Sequence, residues 1–515
     1  MRQIVEFLAT PEPLSGGPAS MNRRTVTIIL GILLTVLPDM LCAADKPDVA
    51  AAVVKTEALI PLQFAMPPIA KVPVLQTKVI FTGLVFGSRA AESLEKKPNI
   101  IFFLTDDMGW GDPSCYGNTV VKTPNIDRLA AEGVRFSQFY CASPICSPSR
   151  TGFTTGMFPA RWNITDYLHN RDGNRSSECA DWLDTQAPSL ARTLQQAGYA
   201  TAHIGKWHMG GGRDVTNAPW PKAYGFDESW TTWEGMGPSI EADFPNIKAY
   251  QRTEKFVNKA MDFITRHKDK PFYVNIWPNE VHDPHIPDPE FKSKWEHSLP
   301  GEAQFNAVLD KYDAQLGRLL DFLKAEKLAD NTIIIFSSDN GPNPTFKDHR
   351  RTGGLRGMKW SLYEGGTRMP FIVRWPGKIP AGTVDTTTIC GAVDLLPTVC
   401  ALAGAALPKD ATFDGEDLSA SWRGTPVVRR KPLFWEYGRN QKFLQPGKED
   451  RSPNVAIRDG KWKLLINDDG TRMELYDLEV DAKETTNLAE KHSDIAKKLS
   501  EQTLSWRKSL PKLVP

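Results

Sequence analysis

The sequence predicts an α/β fold, with a mainly parallel sheet sandwiched by helices and a smaller C-terminal α+β unit that carries an antiparallel sheet. Continuous apolar runs, of which "PNIIFFL" (98–104) is the first, are typical of strands buried on both faces. These runs alternate with amphipathic stretches of helical length, an order that is typical of parallel sheets. After about residue 425 apolar residues alternate with polar ones, which is typical of antiparallel strands.

Residues 1–44 have the pattern of an export signal, with Met21 as an alternative start. Arginines precede an apolar run, and small residues follow it up to Ala44, where we expect cleavage. The run is too short to predict a membrane span, and the bulky Leu41 disfavours a lipoprotein anchor on Cys42. We therefore expect an exported protein, periplasmic or secreted, that uses the export machinery.

The remaining chain divides into three parts. Residues 45–97 lack a sustained period and are expected to be a linker or N-terminal extension. The main domain is expected over 98–425 and the C-terminal subdomain over 426–515. A chain of 515 residues is long enough for a large core with an additional smaller unit.

Helices and strands alternate through the main domain. "TPNIDRLAAEGVRF" predicts a helix with Thr123 as its N-cap and Gly133 as its stop. "PSLARTLQQAGYATAHIGKW" repeats this plan, with Gly198 between a helix and a short strand. Two further pairs of a helix and a strand are predicted, namely 251–266 with 271–277 and 303–326 with 332–338.

The C-terminal subdomain is predicted from two alternating segments. "NVAIRDGKWKLLIN" and "RMELYDLEV" lie around "DDGT", which indicates an antiparallel hairpin. The amphipathic stretch over 489–508 predicts a final helix.

The charge balance argues against nucleic-acid binding. The chain has 62 Lys and Arg residues against 61 Asp and Glu residues, which leaves no basic excess to neutralise phosphates. Any attraction to anions must therefore be local.

Cysteine use leaves two interpretations open. Six cysteines remain after removal of the signal, at 115, 141, 146, 179, 390 and 400, and they are enough for three disulfides outside the cytoplasm. Alternatively Cys146, in "ASPICSPSRTGF", has a chemical role. Its position before a predicted helix would lower the pKa of its thiol, but an exposed thiol would be oxidised or paired in that compartment.

Oxygen-bearing side chains directly follow two of the predicted strands. Asp106 and Asp107 come after the first strand, and Asp339 and Asn340 come after the strand "TIIIFSS". Because ligands gather at the carboxyl ends of parallel strands, these side chains are expected to face one crevice. Crowded carboxylates favour a hard divalent cation, Ca²⁺ or Mg²⁺, over zinc. The alternative is that each pair caps a helix or turn.

Two segments contain candidate groups for proton transfer. Lys206 and His208, in "HIGKWHMG", point the same way from an extended segment and together suit an anionic substrate, although such a pair is also common on a solvated face. "EVHDPHIPDP" places His282 and His285 in a proline-rich loop after a strand. The residues alone leave open which of these two histidines is functional.

The segment "RGMKWSLYEGGTRMPFIVRWPG" carries Arg356, Lys359 and Arg368 among glycines and aromatic residues. A basic, glycine-rich loop can close over an oxyanion, although this one lacks the spacing of a phosphate-binding loop. The alternative is a surface loop with solubilising charges.

Five segments together resemble the formylglycine-dependent sulfatases of the alkaline-phosphatase-like superfamily: "NIIFFLTDDMGWGD", "CSPSRTGFTTG", "GYATAHIGKWHMG", "SSDNGP" and "GLRGMKWSLYEGGTRMPFIVRWPG". The resemblance extends over about residues 98 to 515. In that family the cysteine of the C-x-P-S-R core is oxidised to formylglycine by a dedicated enzyme, commonly during or before export. The resemblance therefore implies a formylglycine-generating enzyme as a partner and removes the difficulty of an exposed thiol.

The resemblance also implies roles for individual residues. One calcium ion, with magnesium less expected, would be held by Asp106, Asp107, Asp339, Asn340 and the modified Cys146. Arg150 would hold and polarise the formylglycine. Lys206 and Lys359 would bind oxygens of the sulfate.

The histidines complete the mechanism that the resemblance implies. The family's further histidine stands in a His-x-Pro context, and "PHIP" favours His285 over His282. A hydroxyl of hydrated formylglycine would attack sulfur while His285 protonates the departing oxygen. His208 would then take the proton from the second hydroxyl, and sulfate would leave as the aldehyde forms again.

One position departs from the family pattern. Family members commonly continue the core motif with Thr-Gly-Arg, an extension that helps the maturing enzyme to recognise its substrate. Here Thr155 and Gly156 are followed by Met157, and the nearest arginine is Arg161.

Two other functions remain as alternatives to sulfate ester hydrolysis. A phosphatase or phosphodiesterase of the same superfamily typically uses serine or threonine and two zinc ions, whereas this chain has Cys146 and Asn340. A non-catalytic protein that binds sulfated glycans is the other alternative. The expected substrate is a sulfated carbohydrate rather than another organic sulfate ester, because aromatic residues in the loops 210–245 and 435–454 can stack on sugar rings.

Overall fold

The computed structural model describes residues 52–57, 80–85, 96–232, 243–299, 301–346, 348–439 and 449–512. The predicted export signal over 1–44 lies outside these residues. No described helix is both long and apolar enough to cross a membrane. The chain divides after Lys96 into two units. In the first unit, within the segment expected to be a linker or extension, β1 (Ala52–Glu57) pairs antiparallel with β2 (Ile80–Val85).

The second unit is built on a large sheet, to which nine strands of the described residues belong. In chain order they are β3 (Asn99–Thr105), β4 (Val134–Tyr140), β5 (Ala200–Lys206), β6 (Glu228–Thr232), β7 (Phe272–Trp277), β8 (Thr332–Ser338), β9 (Arg368–Arg374), β10 (Thr383–Asp385) and β11 (Cys390–Gly391). Their spatial order is β10-β4-β9-β8-β3-β7-β5-β6, and β11 also pairs with β4. Within this set β9 is antiparallel to β4 and β8, and the other pairs are parallel. The predicted mainly parallel sheet is confirmed.

The central strands are apolar on both faces, which explains why both faces are covered. Every residue of β3, β5, β7 and β8 is buried. On one face the ring of Phe102 lies 5.2 Å from that of Phe153 and 5.9 Å from that of Trp277. On the other face Phe103 packs on Tyr312 at 5.6 Å. Because these strands run parallel, their carboxyl ends lie at the same edge of the sheet.

Helices supply the residues that cover the two faces. The helices of the described residues are α1 (Pro124–Ala131), α2 (Cys146–Thr155), α3 (Arg171–Ser176), α4 (Leu190–Gln196), α5 (Arg252–His267), α6 (Pro289–Ser293), α7 (Glu302–Ala325), α8 (Glu364–Thr367), α9 (Leu395–Ala403), α10 (Ser419–Trp422) and α11 (Ser493–Ser509). Residues of α1, α5 and α7 share a core with Phe103, and residues of α2, α4 and α9 share one with Phe102. The predicted helices near 251–266 and 303–326 are thus confirmed as α5 and α7.

The C-terminal part forms a separate antiparallel sheet, as predicted. Its strands, which follow this order in space, are β12 (Leu433–Glu436), β13 (Val455–Asp459), β14 (Trp462–Ile466) and β15 (Glu474–Asp477). Gly460 turns the chain between β13 and β14 with a φ of 55°, a conformation that favours glycine. Ala496 and Leu499 of α11 share a core with Ile457 of β13.

Charged side chains are buried where this sheet approaches the main sheet. Nζ of Lys463 in β14 lies 2.9 Å from Oε1 of Glu364 and 3.1 Å from Oε1 of Glu484, and none of the three side chains is exposed. Glu364 also accepts a hydrogen bond from Nε of Arg368 at 2.6 Å. Buried charges are costly unless they are paired. These ion pairs therefore connect the C-terminal sheet to the segment between Lys359 and β9.

The six cysteines of the described residues are all free thiols. Five of them, Cys141, Cys146, Cys179, Cys390 and Cys400, are buried. The structure thus contradicts the interpretation that these six cysteines form three disulfides, since each buried thiol lies in the packed interior without a sulfur partner.

Candidate active site

Four predicted side chains meet at the carboxyl edge of the main sheet. Asp106 and Asp107 follow β3, Asp339 and Asn340 follow β8, and all four are fully buried. The backbone N–H of Asp107 donates to Oδ1 of Asp339 at 3.2 Å, and Nδ2 of Asn340 donates to Oδ1 of Asp107 at 2.7 Å. Asp107 has a φ of 60°, a strained conformation that is often found at functional sites. The parallel pairing of β3 with β8 explains this convergence.

Cys146 is the first residue of α2 and lies against these carboxylates. Its Sγ is 3.6 Å from Oδ1 of Asp106, and 2% of the residue is exposed. Burial raises the pKa of the Cys146 thiol to about 12, although the charges of Lys206 and Lys359 act to lower it. The expectation that the helix N-terminus favours a thiolate is therefore wrong, because desolvation outweighs it.

The whole of α2 is packed inside the protein. All ten of its residues are buried, and a Cβ at Gly152 would lie 2.4 Å from Cβ of Ala142, so only glycine fits there. The helix ends at Gly156, whose φ is 69°. Arg161, the arginine nearest to Met157, is engaged by Asp414, to which its Nε and Nη2 donate at 2.7 and 2.6 Å.

Arg150 lies one turn after Cys146 on α2 and is fully buried. Its Nε and Nη2 donate to Oδ2 of Asp339 at 3.0 and 2.7 Å, and its Nη2 is 3.3 Å from Oδ1 of Asp106. Its Nη1 donates to the carbonyl oxygen of Lys206 at 3.0 Å. Arg150 therefore links α2 to the ends of β3, β5 and β8.

Two lysines bind the carboxylates from different sides. Nζ of Lys206, the last residue of β5, donates to both carboxylate oxygens of Asp106 at 3.0 and 2.9 Å. Nζ of Lys359 donates to Oδ2 of Asp107 at 2.7 Å. Burial acts to lower the pKa of each lysine, but the nearby negative groups, of which Asp106 and Asp107 respectively contribute most, together raise that pKa. Both ammonium groups therefore stay charged.

The two histidines of the proline-rich loop lie in different surroundings. Nε2 of His282 is 3.1 Å from Nζ of Lys359 and 3.6 Å from Oδ2 of Asp107, so His282 belongs to the cluster. His285 does not, because its ring packs on Phe305 and its Nε2 donates to the carbonyl oxygen of Val281 at 3.0 Å. The sequence did contain a signal for His282, since His-Asp-Pro over 282–284 is also a His-x-Pro segment.

His208 lies two residues beyond the end of β5, with a φ of 53°. Its Nε2 donates to the carbonyl oxygen of Leu168 at 3.1 Å, so the neutral ring carries its proton there. Its Nδ1 is buried without a hydrogen-bond partner in the described part of the chain. Burial and the charge of Lys206 hold the pKa of His208 well below its ordinary value. His208 is therefore a neutral ring with a free acceptor nitrogen.

Sequence reasoning missed a supporting ion pair beside the cluster. Arg351 is buried and pairs with Asp112, whose Oδ2 accepts from Nη2 of Arg351 at 2.8 Å. The same nitrogen donates to the carbonyl oxygen of Asp107 at 2.8 Å. Asp112 follows Asp107 closely in the chain, but its partner comes from a distant loop, which no local pattern indicates.

Four of these side chains form a group that could hold a metal ion. One ligand atom from each of Asp106, Asp107, Cys146 and His282 lies within 4.8 Å of the others. Oδ1 of Asn340 is buried and has no hydrogen-bond partner among the described residues, as expected of an atom reserved for an ion. Burial raises the pKa of Asp339 to about 7 even though Arg150 lowers it. A bound cation would reduce the free-energy cost of burying these carboxylates in their charged form.

A cavity of about 190 Å³ leads to the cluster. It is lined at its inner end by Asp106, Lys206 and His282, and further out by Asn279 and Ile286. An anionic group that enters this cavity would meet Lys206 and His282. Its volume is that of a site for a small ligand or one end of a larger one.

Known proteins resemble the chain over most of its length. The Sulfatase family model matches residues 98–405, and the model of the N-sulphoglucosamine sulphohydrolase C-terminal region matches residues 358–509. The chain is 31% identical over 498 residues to N-acetylgalactosamine-6-O-sulfatase of Bacteroides thetaiotaomicron, with 79% of this chain and 92% of that relative covered. It is 33% identical over 378 residues to N-acetylgalactosamine-6-sulfatase of Homo sapiens, with 68% and 70% covered. A solved sulfatase structure concerned with the metabolism of multiple glycosaminoglycans by Bacteroides thetaiotaomicron matches with a TM-score of 0.66 at 28% identity, covering 80% of this chain and all of that one.

Proposed function

The chain belongs to the sulfatase family and is a sulfuric ester hydrolase, and from this premise we propose that it releases sulfate from a sulfated carbohydrate, with Cys146 in its formylglycine form. The observation that carries the proposal is the buried cluster beside Cys146. Three carboxylates and three cations of Arg150, Lys206 and Lys359 meet there. Burying this many charged groups costs free energy, so a cluster of this kind is typical of a site that binds a ligand or catalyses a reaction.

We propose that Lys206 and Lys359 bind the oxygen atoms of the sulfate group. Each ammonium is held in place by a different carboxylate, of Asp106 and Asp107 respectively, so neither has to be ordered when substrate binds. Their positive charges also reach Cys146, because each acts to lower the pKa of its thiol. Two fixed positive charges at this position would stabilise negative charge on the sulfuryl group in the transition state.

We assign the two proton transfers to His282 and His208. Nδ1 of His282 donates to the carbonyl oxygen of Asp283 at 2.6 Å, which leaves Nε2 facing Lys359 and the cavity. This transfer would use the doubly protonated ring, in which a second proton on Nε2 passes to the oxygen of the leaving group. His208 presents an unprotonated Nδ1, which is suited to accept a proton from a hydroxyl on residue 146.

We assign a divalent cation, calcium in preference to magnesium, to one set of ligands: Asp106, Asp107, Asp339, Asn340 and the modified Cys146. When bound, the cation would supply positive charge that makes a hydroxyl on residue 146 a better nucleophile. Arg150 would keep the ligand Asp339 oriented through its two hydrogen bonds. This differs from the role that the resemblance implied for Arg150, since its guanidinium is directed at Asp339 and Asp106.

Oxidation of the Cys146 side chain to an aldehyde would supply, after hydration, the hydroxyl groups that a neutral, buried thiol lacks. We therefore propose that a formylglycine-generating enzyme matures the chain. We further propose that residues 1–44 direct the protein to the export machinery and that it acts in the periplasm or as a secreted protein. The main and C-terminal parts would then be a catalytic domain over 98–425 and a subdomain over 426–515.

The names of the relatives support a carbohydrate substrate. The bacterial and human relatives are both named for sulfate on position 6 of N-acetylgalactosamine. The predicted specificity loops 210–245 and 435–454 lie partly outside the described residues, which omit 233–242 and 440–448. A sulfated amino sugar is the substrate class that we propose to test first.

Mass spectrometry of the peptide that ends at Arg150, from protein made in its native host, tests the proposal directly. We expect formylglycine at position 146 and release of sulfate from N-acetylgalactosamine 6-sulfate. Cys146→Ser should abolish that release, whereas Cys141→Ser, a buried control outside the cluster, should retain it. Unmodified cysteine in all of the protein, with saccharide bound but not hydrolysed, would instead indicate a non-catalytic glycan-binding protein.

A further inference from the structure

Arg351 contacts two segments of the chain, one of which carries a residue of the catalytic cluster. It lies in the loop that follows β8, and it is 4% exposed. Its Nη2 donates to the carbonyl oxygen of Asp107 at 2.8 Å, and its Nη1 donates to Oγ1 of Thr345 at 3.3 Å. Neither the sulfate contacts nor the proton transfers assigned above use this guanidinium. Because a buried cation is costly to keep, its contacts indicate what it contributes.

The first segment is the loop from Asp107 to Asp112. Nε and Nη2 of Arg351 donate to the carboxylate of Asp112 at 3.1 and 2.8 Å, and that carboxylate also accepts from the N–H of Gly109 at 2.7 Å. The N–H of Gly111 donates to the carbonyl oxygen of Arg351 at 2.8 Å, and a Cβ at Gly109 would lie 2.0 Å from that oxygen. Arg351 therefore fixes the backbone that holds Asp107 in its strained conformation.

The second segment leads to the proline-rich loop that carries His282. The hydroxyl of Thr345 donates to Oδ1 of Asp283 at 3.4 Å, and Nδ2 of Asn343 donates to Oδ2 of the same carboxylate. The carbonyl oxygen of Asp283 in turn accepts from Nδ1 of His282 at 2.6 Å. Since a hydroxyl accepts and donates at once, a continuous chain of hydrogen bonds joins the guanidinium of Arg351 to the loop of His282.

Phe305 of α7 supports both segments. Cζ of Arg351 lies 4.1 Å from the centroid of its ring, and the ring of His285 packs on it at 5.2 Å. Phe305 is itself buried, so its ring is held by the core. A guanidinium that stacks on an aromatic ring and binds a carboxylate at its edge has little freedom to move. Arg351 therefore keeps its two neighbouring segments at a fixed separation.

We infer that Arg351 is a positioning residue for the proton transfer to the leaving group. It holds the loops of Asp107 and His282 in one arrangement, in which Nε2 of His282 lies 3.6 Å from Oδ2 of Asp107. In the same arrangement that Nε2 is 3.1 Å from Nζ of Lys359. The inference rests on the proposed function, since it needs His282 as the proton donor and Lys359 beside the sulfate. A small displacement of the donor lowers the rate of the step that uses it.

The test compares two substrates that differ in their need for a proton. The sugar alcohol of N-acetylgalactosamine 6-sulfate leaves with a proton from His282. 4-Nitrophenolate leaves 4-nitrophenyl sulfate without one, because its nitro group delocalises the negative charge. We expect Arg351→Met to lower kcat about tenfold for the sugar sulfate and less than about twofold for 4-nitrophenyl sulfate.

Arg350→Met is the matched control. The side chain of this neighbouring arginine is 49% exposed, and it pairs with Glu302 and Asp348. Because these partners lie outside the two segments that Arg351 joins, both kcat values of Arg350→Met should equal those of the wild type.

Two further variants separate positioning from a purely structural role. Thr345→Val removes the hydroxyl that links Arg351 to Asp283. It keeps the ion pair with Asp112, so it should fold as the wild type does and lose kcat selectively for the sugar sulfate. Arg351→Met combined with His282→Gln should lose no more kcat for the sugar sulfate than His282→Gln alone. A residue that acts through His282 has no further effect once that donor is removed.

The outcomes separate this inference from the proposed function. An equal loss of kcat for both substrates in Arg351→Met, or a double variant much slower than His282→Gln, overturns the positioning role and leaves the proposed function intact. If Arg351→Met fails to fold, because Asp112 loses its buried partner, Thr345→Val decides, and a wild-type ratio of its two kcat values overturns the inference. A wild-type kcat for the sugar sulfate in His282→Gln contradicts the assigned proton donor and the inference together. Wild-type protein that hydrolyses neither substrate contradicts the proposed function, and the inference with it.

Discussion

Replacing Lys463 with methionine tests the buried charges that connect β14 to the segment preceding β9. Methionine has a similar length but no charge, so it leaves Glu364 and Glu484 without the ammonium that lies 2.9 and 3.1 Å from them. Removing one partner from a buried pair costs about 3–5 kcal/mol. We expect the free energy of unfolding of Lys463→Met to fall by about that amount at pH 8.

The decrease in the free energy of unfolding caused by Lys463→Met should depend on pH, because burial raises the pKa of Glu484 from 4.5 to about 7. Between these values the folded protein holds a proton that the unfolded chain has released, so the wild type loses about 3 kcal/mol as the pH rises through this window. At pH 6 the carboxyl of Glu484 is protonated and needs its cation less. The difference between Lys463→Met and the wild type should therefore be smaller at pH 6 than at pH 8.

Urea unfolding at both pH values, followed by tryptophan fluorescence, measures this difference. Trp435 is a suitable reporter, since its ring centroid is 6.0 Å from Nζ of Lys463. Lys461→Met is the matched control, because Lys461 pairs with Asp477 at the surface, and its unfolding midpoint should not move. A Lys463→Met midpoint equal to that of the wild type, or an equal loss at both pH values, would refute the reasoning.

Two further predictions concern the catalytic cluster. His282→Gln should lower kcat for sulfate release about 100-fold or more, whereas His285→Gln should have a much smaller effect, because only His282 lies beside Lys359. A larger loss of kcat for His285→Gln than for His282→Gln in a steady-state assay would instead support His285, the histidine favoured from the sequence. Asp339→Ala should lose bound divalent cation, measured by elemental mass spectrometry, while Asp330→Ala outside the cluster should keep it. A metal content equal to that of the wild type in Asp339→Ala would contradict the ligand assignment.

The convergence of the strand ends could be predicted from residue type. Strands that are apolar on both faces pair in parallel, so Asp106 and Asp339, which follow two of them, had to lie at one edge. In the structure Arg150 contacts both carboxylates. The antiparallel C-terminal sheet was equally predictable, because the alternation of its residues directly reflects one buried face.

Loop paths could not be predicted, because contacts between distant segments decide them. His282 and His285 stand in similar local sequences, and the packing of His285 on Phe305 of α7 decides which ring faces the cluster. The direction of Arg150 depends likewise on where β8 ends.

The burial of α2 limits when the side chain of Cys146 can be modified. The side chain of Cys146 is enclosed, and the helix behind it has no room even for a methyl group at Gly152. If an enzyme oxidises Cys146, as we propose, it would have to reach this side chain before the helix packs against the sheet. Once the protein has folded, the side chain of Cys146 is no longer accessible to an enzyme. Two populations with the same fold, one active and one inert, would coexist in any cell where folding outruns oxidation, and no later treatment short of unfolding would convert one into the other.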